Sequence, residues 1–191
     1  MYLADHQIKK YVKKDNLINE EDFIADKTDS PSFGLSSFGY DARLGNEFVT
    51  FPKPGFFQRL FNLEGEVFDP TIHTFRENQD CFRKVCGFYD IKPGEFILAH
   101  TEETFNFPPN ITGVVKDKST YARLGLSVQN TVLEAGWSGQ ITIEISNHGP
   151  EIVRLHVGLG IAQILFVHNP KPADNPYTGK YQDQKGVVLP K

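Results

Sequence analysis

An alternating stretch in the second half of the chain constrains its fold more than any other segment. In Q-I-T-I-E-I-S-N, residues 140–147, three isoleucines fall on one face and polar side chains on the other. Alternation of β-branched and polar residues predicts a half-buried β-strand rather than a helix. Glu144 lies on the polar face. That face is either solvated or the wall of a pocket in which the carboxylate transfers protons, and the pattern alone does not decide between them.

The rest of the chain is typical of an all-β protein with one short helix. Residues 2–12 have amphipathic helical spacing, with Asp5 near the start. Residues 36–50 predict two short strands around a turn at Gly45 and Asn46. Further strands are predicted at residues 95–100, 113–115, 126–130, 139–147 and 160–168. Because Pro and Gly interrupt these segments at short intervals, a β-sandwich or barrel is the expected class.

Length and composition are those of one domain without a broad surface for polyanions. With 191 residues, 39% of them hydrophobic, the chain can bury one sizeable core, and a single domain over residues 1–191 is expected. A net charge of −4 argues against binding of nucleic acid or of membrane surfaces. No membrane-spanning run and no signal-peptide pattern occurs, which predicts a soluble cytoplasmic protein.

The sequence gives little support for a zinc site or for an activated nucleophile. Cys81 and Cys86 are the only cysteines, and their C-x4-C spacing has no second pair, so reduced thiols are expected rather than a zinc site. A disulfide between them has no support beyond proximity. The histidines lack metal-ligand spacing, and neither the zinc-deaminase signature nor a G-x-S-x-G elbow is present. Hydrolytic chemistry on a base would therefore require activation of water without zinc.

A cationic, hydroxyl-bearing turn precedes the alternating strand. The run K-S-T at residues 118–120 invites comparison with a P-loop, but that motif needs glycines where this chain has Thr112 and Asp117. The lysine, the serine and Arg123 could still bind phosphate, as point charge, hydroxyl donor and bidentate fork. The alternative is an ordinary polar turn.

Three further segments have roles that the sequence leaves open. Gln163 interrupts an apolar run, so its amide either joins a core network or contacts a ligand. The tail, residues 169–191, is either a disordered end or, with Tyr177, Tyr181 and its charged and amide residues, a closing lid. The phenylalanine-rich residues 51–75 are expected to pack, against the same chain or against another subunit.

Five ordered sequence blocks give the chain a family resemblance. They are S-F-G-Y-D-A-R-L-G-N-E-F at 37–48, K-S-T-Y-A-R-L-G at 118–125, L-E-A-G-W-S-G-Q-I-T-I-E-I-S-N at 133–147, G-I-A-Q-I-L-F at 160–166 and G-K-Y-Q-D-Q-K-G at 179–186. In these blocks the chain resembles the dCTP deaminase family, relatives of the trimeric dUTPases. The resemblance implies a distorted, jelly-roll-like β-barrel of dUTPase type with a short N-terminal helix, assembled as a homotrimer with nucleotide sites between subunits.

The resemblance also implies roles for individual residues. Glu144 would be the proton shuttle, Ser119 would hold the attacking water or the developing oxyanion, and Arg123 would be the third catalytic residue. The implied nucleotide-binding residues are Lys118, Ser119, Thr120, Tyr121, Ala122, Arg123, Glu134, Thr142, Ile143, Glu144, Gln163, Tyr177, Lys180 and Gln184. No protein metal ligand is implied: Mg²⁺ would bind through the nucleotide triphosphate, and zinc would take no part.

The implied reaction is hydrolysis of dCTP to dUTP and ammonia, which feeds thymidylate synthesis, with dTTP as an inhibitor in relatives. The first alternative is a dUTPase, or a bifunctional enzyme that continues to dUMP. In the dUTPase pattern an aliphatic residue replaces the carboxylate at the position of Glu144, which favours deamination. The second alternative is a β-barrel binding module without catalysis, which has no need of Glu144 beside a phosphate-binding turn.

Overall fold

The computed structural model describes residues 1–28, 31–51 and 81–191, and β-strands dominate these ranges. One helix, α1, spans Asp5–Asp15, and a single helical turn, α2, spans Ser119–Ala122. The strands are β1 Gly34–Ser36, β2 Gly39–Arg43, β3 Glu47–Thr50, β4 Phe82–Val85, β5 Phe88–Ile91, β6 Phe96–Asn106, β7 Ile111–Asp117, β8 Leu126–Val128, β9 Val132–Leu133, β10 Ser138–Asn147, β11 Val153–His156 and β12 Gly160–His168. The expected mainly β fold with a short N-terminal helix is confirmed.

The described strands form two antiparallel five-stranded sheets and a smaller one. One large sheet has the order β1-β2-β12-β7-β9, and the other has the order β4-β3-β6-β10-β8. Strands β11 and β5 make a separate two-stranded sheet. Along β10, Glu144 lies opposite Leu98 of β6. Directly opposed residues of antiparallel strands project to the same face, so Leu98 shares the face of Glu144.

The main hydrophobic core combines side chains of both large sheets. Ile141, Ile143 and Ile145 of β10 are all buried in it, as their alternation predicted. Phe105 of β6 and Phe166 of β12 meet there with ring centroids 6.4 Å apart. Burial of each such side chain contributes about 1.5–3 kcal/mol. The apolar face of β10 is therefore held firmly in the core, and the strand directs its polar face the other way.

Helix α1 packs through one apolar stripe. Ile8 and Val12, one turn apart, are buried, while Asp5 in the first turn and lysines in the last turn match the helix dipole. Asn16 adopts the left-handed conformation, with φ at 54°, which ends the helix. The helix predicted over residues 2–12 is confirmed, with its start and its end displaced three residues along the chain.

The chain passes from one sheet to the other at Gly45. Strands β2 and β3 flank this residue as predicted, yet they pair in different sheets rather than with each other. The Gly45 amide donates to the carbonyl of His100 at 2.7 Å, and a Cβ atom here would lie 2.2 Å from the His100 ring. Glycine is the residue that permits this close approach. The hairpin of this region joins β1 to β2 instead, with Leu35 opposite Tyr40.

Three smaller points concern the segment after β3, the cysteines and membrane spans. The phenylalanine-rich segment 51–75 lies outside the described residues except for Phe51, whose ring stacks on Phe96 with centroids 5.5 Å apart. No disulfide joins Cys81 to Cys86, and the Cys86 thiol donates to the Phe88 carbonyl at 2.9 Å. Within the described ranges, no helix has the length and apolar character needed to cross a membrane.

Candidate active site

A cavity of about 430 Å³ lies against the polar face of β10. Strands β10 and β6, the loop between β8 and β9, and the tail after β12 surround it. The described residues that line it are Phe51, Phe96, Leu98, Asn130, Thr131, Val132, Leu133, Glu134, Trp137, Ile141, Thr142, Glu144, Tyr177, Tyr181, Gln184, Val188 and Pro190. Aromatic and aliphatic walls with a few polar groups are typical of sites for small molecules.

Glu144 projects from β10 into this cavity. In the part of the chain that the structure describes, its Oε2 is buried and has no hydrogen-bond partner. Burial raises the pKa of Glu144 to about 7 because desolvation disfavours the charged form, and the residue's own backbone amide opposes this only in part. A carboxyl group with a pKa near neutrality can accept a proton and then return it. Thr142 and Glu144 of the polar face of β10 thus line a pocket, whereas proton transfer by Glu144 stays a prediction.

The loop between β8 and β9 is tied to β10 on both sides of this carboxylate. The backbone N–H of Gln129 donates to the backbone carbonyl of Glu144 at 2.9 Å, and Asn130 Nδ2 donates to the backbone carbonyl of Thr142 at 2.7 Å. Asn130 Oδ1, like Glu144 Oε2, is buried without a partner among the described residues. Both atoms belong to residues that line one cavity, and both can accept a hydrogen bond.

The C-terminal residues form one wall of the cavity. The Trp137 indole donates to the Tyr181 carbonyl at 2.8 Å. The backbone N–H of Gln140 donates to the backbone carbonyl of Gln184 at 2.9 Å. The side-chain Nε2 of Gln184 donates in turn to the backbone carbonyl of Gln140 at 2.7 Å. Tyr177 and Tyr181 place their rings at the cavity surface. Backbone hydrogen bonds to β10 therefore hold the tail directly over the face that carries Glu144.

A carboxylate of β3 fastens the last part of the tail. Glu47 accepts a hydrogen bond from the Val187 amide at 2.9 Å, while Arg83 of β4 pairs with Glu47 and donates to the Val187 carbonyl at 3.1 Å. Burial alone would raise the pKa of Glu47, but the hydrogen bonds from Val187 and Arg83 lower it on balance. The next amide, of Val188, donates to Thr142 Oγ1 at 3.2 Å. The tail is thereby fixed to two strands beside the cavity.

The turn that carries Lys118 does not line this cavity: residues 118–123, all of them described, are absent from its walls. Lys118 Nζ lies 2.8 Å from Asp41 Oδ2 and 3.1 Å from Ser32 Oγ. Lys27 Nζ reaches the same Asp41 oxygen at 3.0 Å. Two ammonium groups around one carboxylate leave a local excess of positive charge, which suits an anionic ligand.

The residues after Lys118 present a polar surface. Ser119, Thr120, Ala122 and Arg123 are exposed, whereas Tyr121 is buried. The Asp117 carboxylate accepts a hydrogen bond from the Val128 amide at 2.6 Å, so its charge is engaged by the backbone. The hydroxyl and guanidinium groups of this turn are consequently accessible to a phosphate group from outside the chain.

The structure brings together five of the predicted site residues in the cavity: Glu134, Thr142, Glu144, Tyr177 and Gln184. Ile143 lies on the opposite face of β10, in the core. Gln163 lies on β12, in the other large sheet, and donates to Ser36 Oγ at 3.2 Å. Lys180 is exposed on the tail, with its ammonium nitrogen 5.2 Å from the Tyr181 ring centroid.

Several cavity residues were not predicted from the sequence. Asn130 belongs to the turn at residues 129–132, which the family resemblance implies helps to shape the base pocket, but the sequence assigned Asn130 no role of its own. The strand predicted over residues 126–130 ends at Val128, so Asn130 lies in the loop that follows it. Phe96 and Leu98 alternate on β6, but only the pairing with β10 places Leu98 opposite Glu144. The pairing register of β6 with β10 is the information needed to predict that Leu98 lines the cavity.

The fold and the buried carboxyl define a β-sheet protein with an ionisable group in a cavity of small-molecule size. A family model described as dCTP deaminase-like matches residues 2–169, and the chain belongs to this family. The dCTP deaminase of Granulibacter bethesdensis is 39% identical over 194 residues, covering 99% of this chain and 98% of that protein. The dCTP deaminase of Campylobacter fetus is 40% identical over 163 residues, covering 84% of this chain and 81% of that protein.

A solved structure supports the same architecture. The 2'-deoxycytidine 5'-triphosphate deaminase from Agrobacterium tumefaciens matches with a TM-score of 0.59 at 18% sequence identity. The match covers 88% of this chain and 48% of the Agrobacterium chain. At this identity the likeness concerns the fold.

Proposed function

We propose that the protein hydrolyses dCTP to dUTP and ammonia, and so supplies dUTP for thymidylate synthesis. The observation that carries this proposal is the buried, partly unpartnered carboxyl of Glu144, whose pKa is about 7, in a cavity of small-molecule size. Membership of the dCTP deaminase-like family supports the choice of substrate. A cytoplasmic location belongs to the same proposal.

Glu144 would move each proton of the reaction. Its carboxylate takes a proton from water while the water oxygen bonds to C4 of cytosine, and the same proton passes to N3. The carboxylate then takes the hydroxyl proton of the tetrahedral intermediate and gives it to the amino group. The C4–N4 bond breaks, ammonia leaves, and a C4 carbonyl remains. A pKa near neutrality suits a group that alternates between base and acid.

The phosphate-binding part of the site would come from a neighbouring protomer. In one chain, the Lys118 turn and the Glu144 cavity are separate, yet Ser119 and Arg123 are exposed and chemically suited to bind a phosphate or position a water. A homotrimer with sites between subunits, as the family resemblance implies, would bring the turn of one copy to the cavity of the next. The excess positive charge of Lys27 and Lys118 around Asp41 would support the turn.

Magnesium would accompany the nucleotide rather than reside in the protein. Within the described ranges, no cluster of three or more His, Cys, Asp or Glu side chains could hold a metal ion. An ion bound mainly by triphosphate oxygens needs no such cluster of protein ligands. When bound, it would neutralise part of the phosphate charge. dTTP has the same triphosphate and a pyrimidine base, and would compete for the site as an inhibitor.

The tail would act as a lid. Residues 169–191 supply Tyr177, Tyr181, Gln184, Val188 and Pro190 to the cavity wall. Their hydrogen bonds to β10 are individually modest, about 0.5–1.5 kcal/mol each. A wall held in this way can open to admit a triphosphate and close to exclude water from the base.

The test is a product analysis with dCTP and magnesium, using chromatography for the nucleotides and a separate assay for ammonia. We expect dUTP and ammonia in equal amounts, no product from Glu144→Gln, and unchanged turnover by Glu151→Gln, which alters an exposed carboxylate outside the cavity. Accumulation of dUMP and diphosphate would identify a bifunctional enzyme. Absence of ammonia from the unaltered protein would refute the proposal.

A further inference from the structure

Two oxygen atoms of residues that line the cavity share one unusual property. Among the described residues, the buried side-chain nitrogen and oxygen atoms without a hydrogen-bond partner are Asn130 Oδ1 and Glu144 Oε2. Both residues line the same cavity. Buried polar groups in folded proteins are nearly all paired, so an unpaired atom on a residue that lines a cavity requires an explanation. This pair is therefore more informative than either atom alone.

The orientation of the Asn130 amide is fixed by chemistry. Its Nδ2 lies 2.7 Å from the carbonyl oxygen of Thr142, and a carbonyl can only accept a hydrogen bond. The amide nitrogen must therefore face Thr142, which leaves Oδ1 as the unpaired atom. The neighbouring Gln129 amide, bonded to the Glu144 carbonyl at 2.9 Å, ties the same loop to β10. The loop thus holds the acceptor of Asn130 in place against β10, the strand that carries Glu144.

Two acceptors select a group with two hydrogens to donate. At C4, cytosine carries an amino group, which donates, whereas uracil carries a carbonyl oxygen, which accepts. An amino group would satisfy both Asn130 Oδ1 and the ionised Glu144 carboxylate. A carbonyl can pair only with the protonated form of Glu144, and it would face a like partial charge at Asn130 Oδ1 and leave that acceptor unpaired.

We infer that Asn130 Oδ1 receives the 4-amino group of cytosine together with Glu144, so that Asn130 determines the preference for dCTP over dUTP. This inference rests on the proposed function, since it names the residue that discriminates between substrate and product at that site. In this arrangement the loss of the amino group during the reaction weakens the hold of the cavity on the base. Asn130 would then aid both substrate selection and product release.

The experiment compares the affinities for dCTP and dUTP in the Glu144→Gln background, where turnover is expected to be absent. With magnesium present, titration calorimetry gives Kd for each nucleotide with and without Asn130→Ala. We expect dCTP binding to weaken about 5- to 30-fold, the effect of one hydrogen bond, while dUTP binding stays the same or tightens. The matched control is Gln129→Ala in the same loop. The Gln129 side chain accepts a hydrogen bond from Ser146 Oγ but does not line the cavity, and alanine keeps the backbone hydrogen bond to the Glu144 carbonyl. This substitution should change neither affinity.

An equal loss of affinity for dCTP and dUTP, or no change in either affinity, would overturn the inference. If Asn130→Ala fails to fold, Asn130→Asp loses the hydrogen bond to the Thr142 carbonyl but keeps an acceptor on the same side chain, and it should still bind dCTP more tightly than dUTP. Loss of that preference in Asn130→Asp would also overturn the inference. Failure of the proposed function is a separate result, because it appears as absence of ammonia from the unaltered protein.

Discussion

Replacing Glu144 with glutamine should abolish ammonia release and stabilise the folded protein above pH 7. The glutamine amide has nearly the shape of the carboxyl group but cannot take up a proton from water, so dCTP should still bind without reacting. The second effect follows from burial, which raises the pKa of Glu144 from 4.5 to about 7. The folded protein consequently holds this proton more tightly than the unfolded chain does.

The size of the stabilisation follows from the pKa difference and its sign. Between pH 4.5 and about 7, the folded state retains a proton that the unfolded state has lost, so the free energy of unfolding falls as the pH rises through this window. Each unit of pKa corresponds to about 1.36 kcal/mol, which sets an upper limit of about 3.4 kcal/mol. Water reaches part of this side chain and screens the charge, so about 1–2 kcal/mol is the expected gain at pH 8.

Urea unfolding of the unaltered protein and of Glu144→Gln, at pH 4 and at pH 8, measures this effect. We expect nearly equal free energies of unfolding at pH 4, where both side chains are neutral, and a more stable variant at pH 8. Glu151→Gln, on an exposed side chain, serves as the control and should show no such difference. A variant that is less stable than the unaltered protein at pH 8 would refute the argument that the carboxylate is desolvated.

Three further predictions test other parts of the molecule. Truncation after His168 removes one wall of the cavity and should weaken dCTP binding at least about tenfold by calorimetry; unchanged affinity would show that the tail takes no part in binding. Deaminase activity should survive a zinc chelator but fall when magnesium is removed, because the metal neutralises the phosphates; activity that only zinc restores would contradict the proposed mechanism. Gly45→Ala should lower the free energy of unfolding by about 1–3 kcal/mol, since the added Cβ would lie 2.2 Å from the His100 ring. A thermal unfolding midpoint equal to that of the unaltered protein would argue against this close contact.

Local patterns predicted the elements in which a regular pattern extends over many residues. Strand β10 and helix α1 were found from spacing alone, because one buried face imposes its period on the sequence, whereas β12 was found from its apolar run. The short strands β1, β4, β5, β9 and β11 were missed. Several of them are half-exposed, and strands of two to four residues are too short to establish an alternation.

The site was predictable only in part, and the reason differs from residue to residue. Glu144 and Thr142 follow from the polar face of β10, whereas Asn130 acquires its role only from a hydrogen bond to that strand. Lys118 has the charge expected of a phosphate-binding residue, but the sequence did not predict its pairing with Asp41. The partners of these groups lie far away along the chain, where no local pattern connects them.

The sequence by itself determined that β10 has an apolar and a polar face, that Glu144 belongs to the polar one, and that the ordered blocks resemble the dCTP deaminase family. Only the tertiary structure decided that the polar face is covered by the tail and by the loop of Asn130 instead of by water. Side-chain period is a property of neighbouring residues, whereas burial of a charge depends on segments brought together by folding. The raised pKa of Glu144, on which the proposed chemistry rests, is a consequence of that assembly.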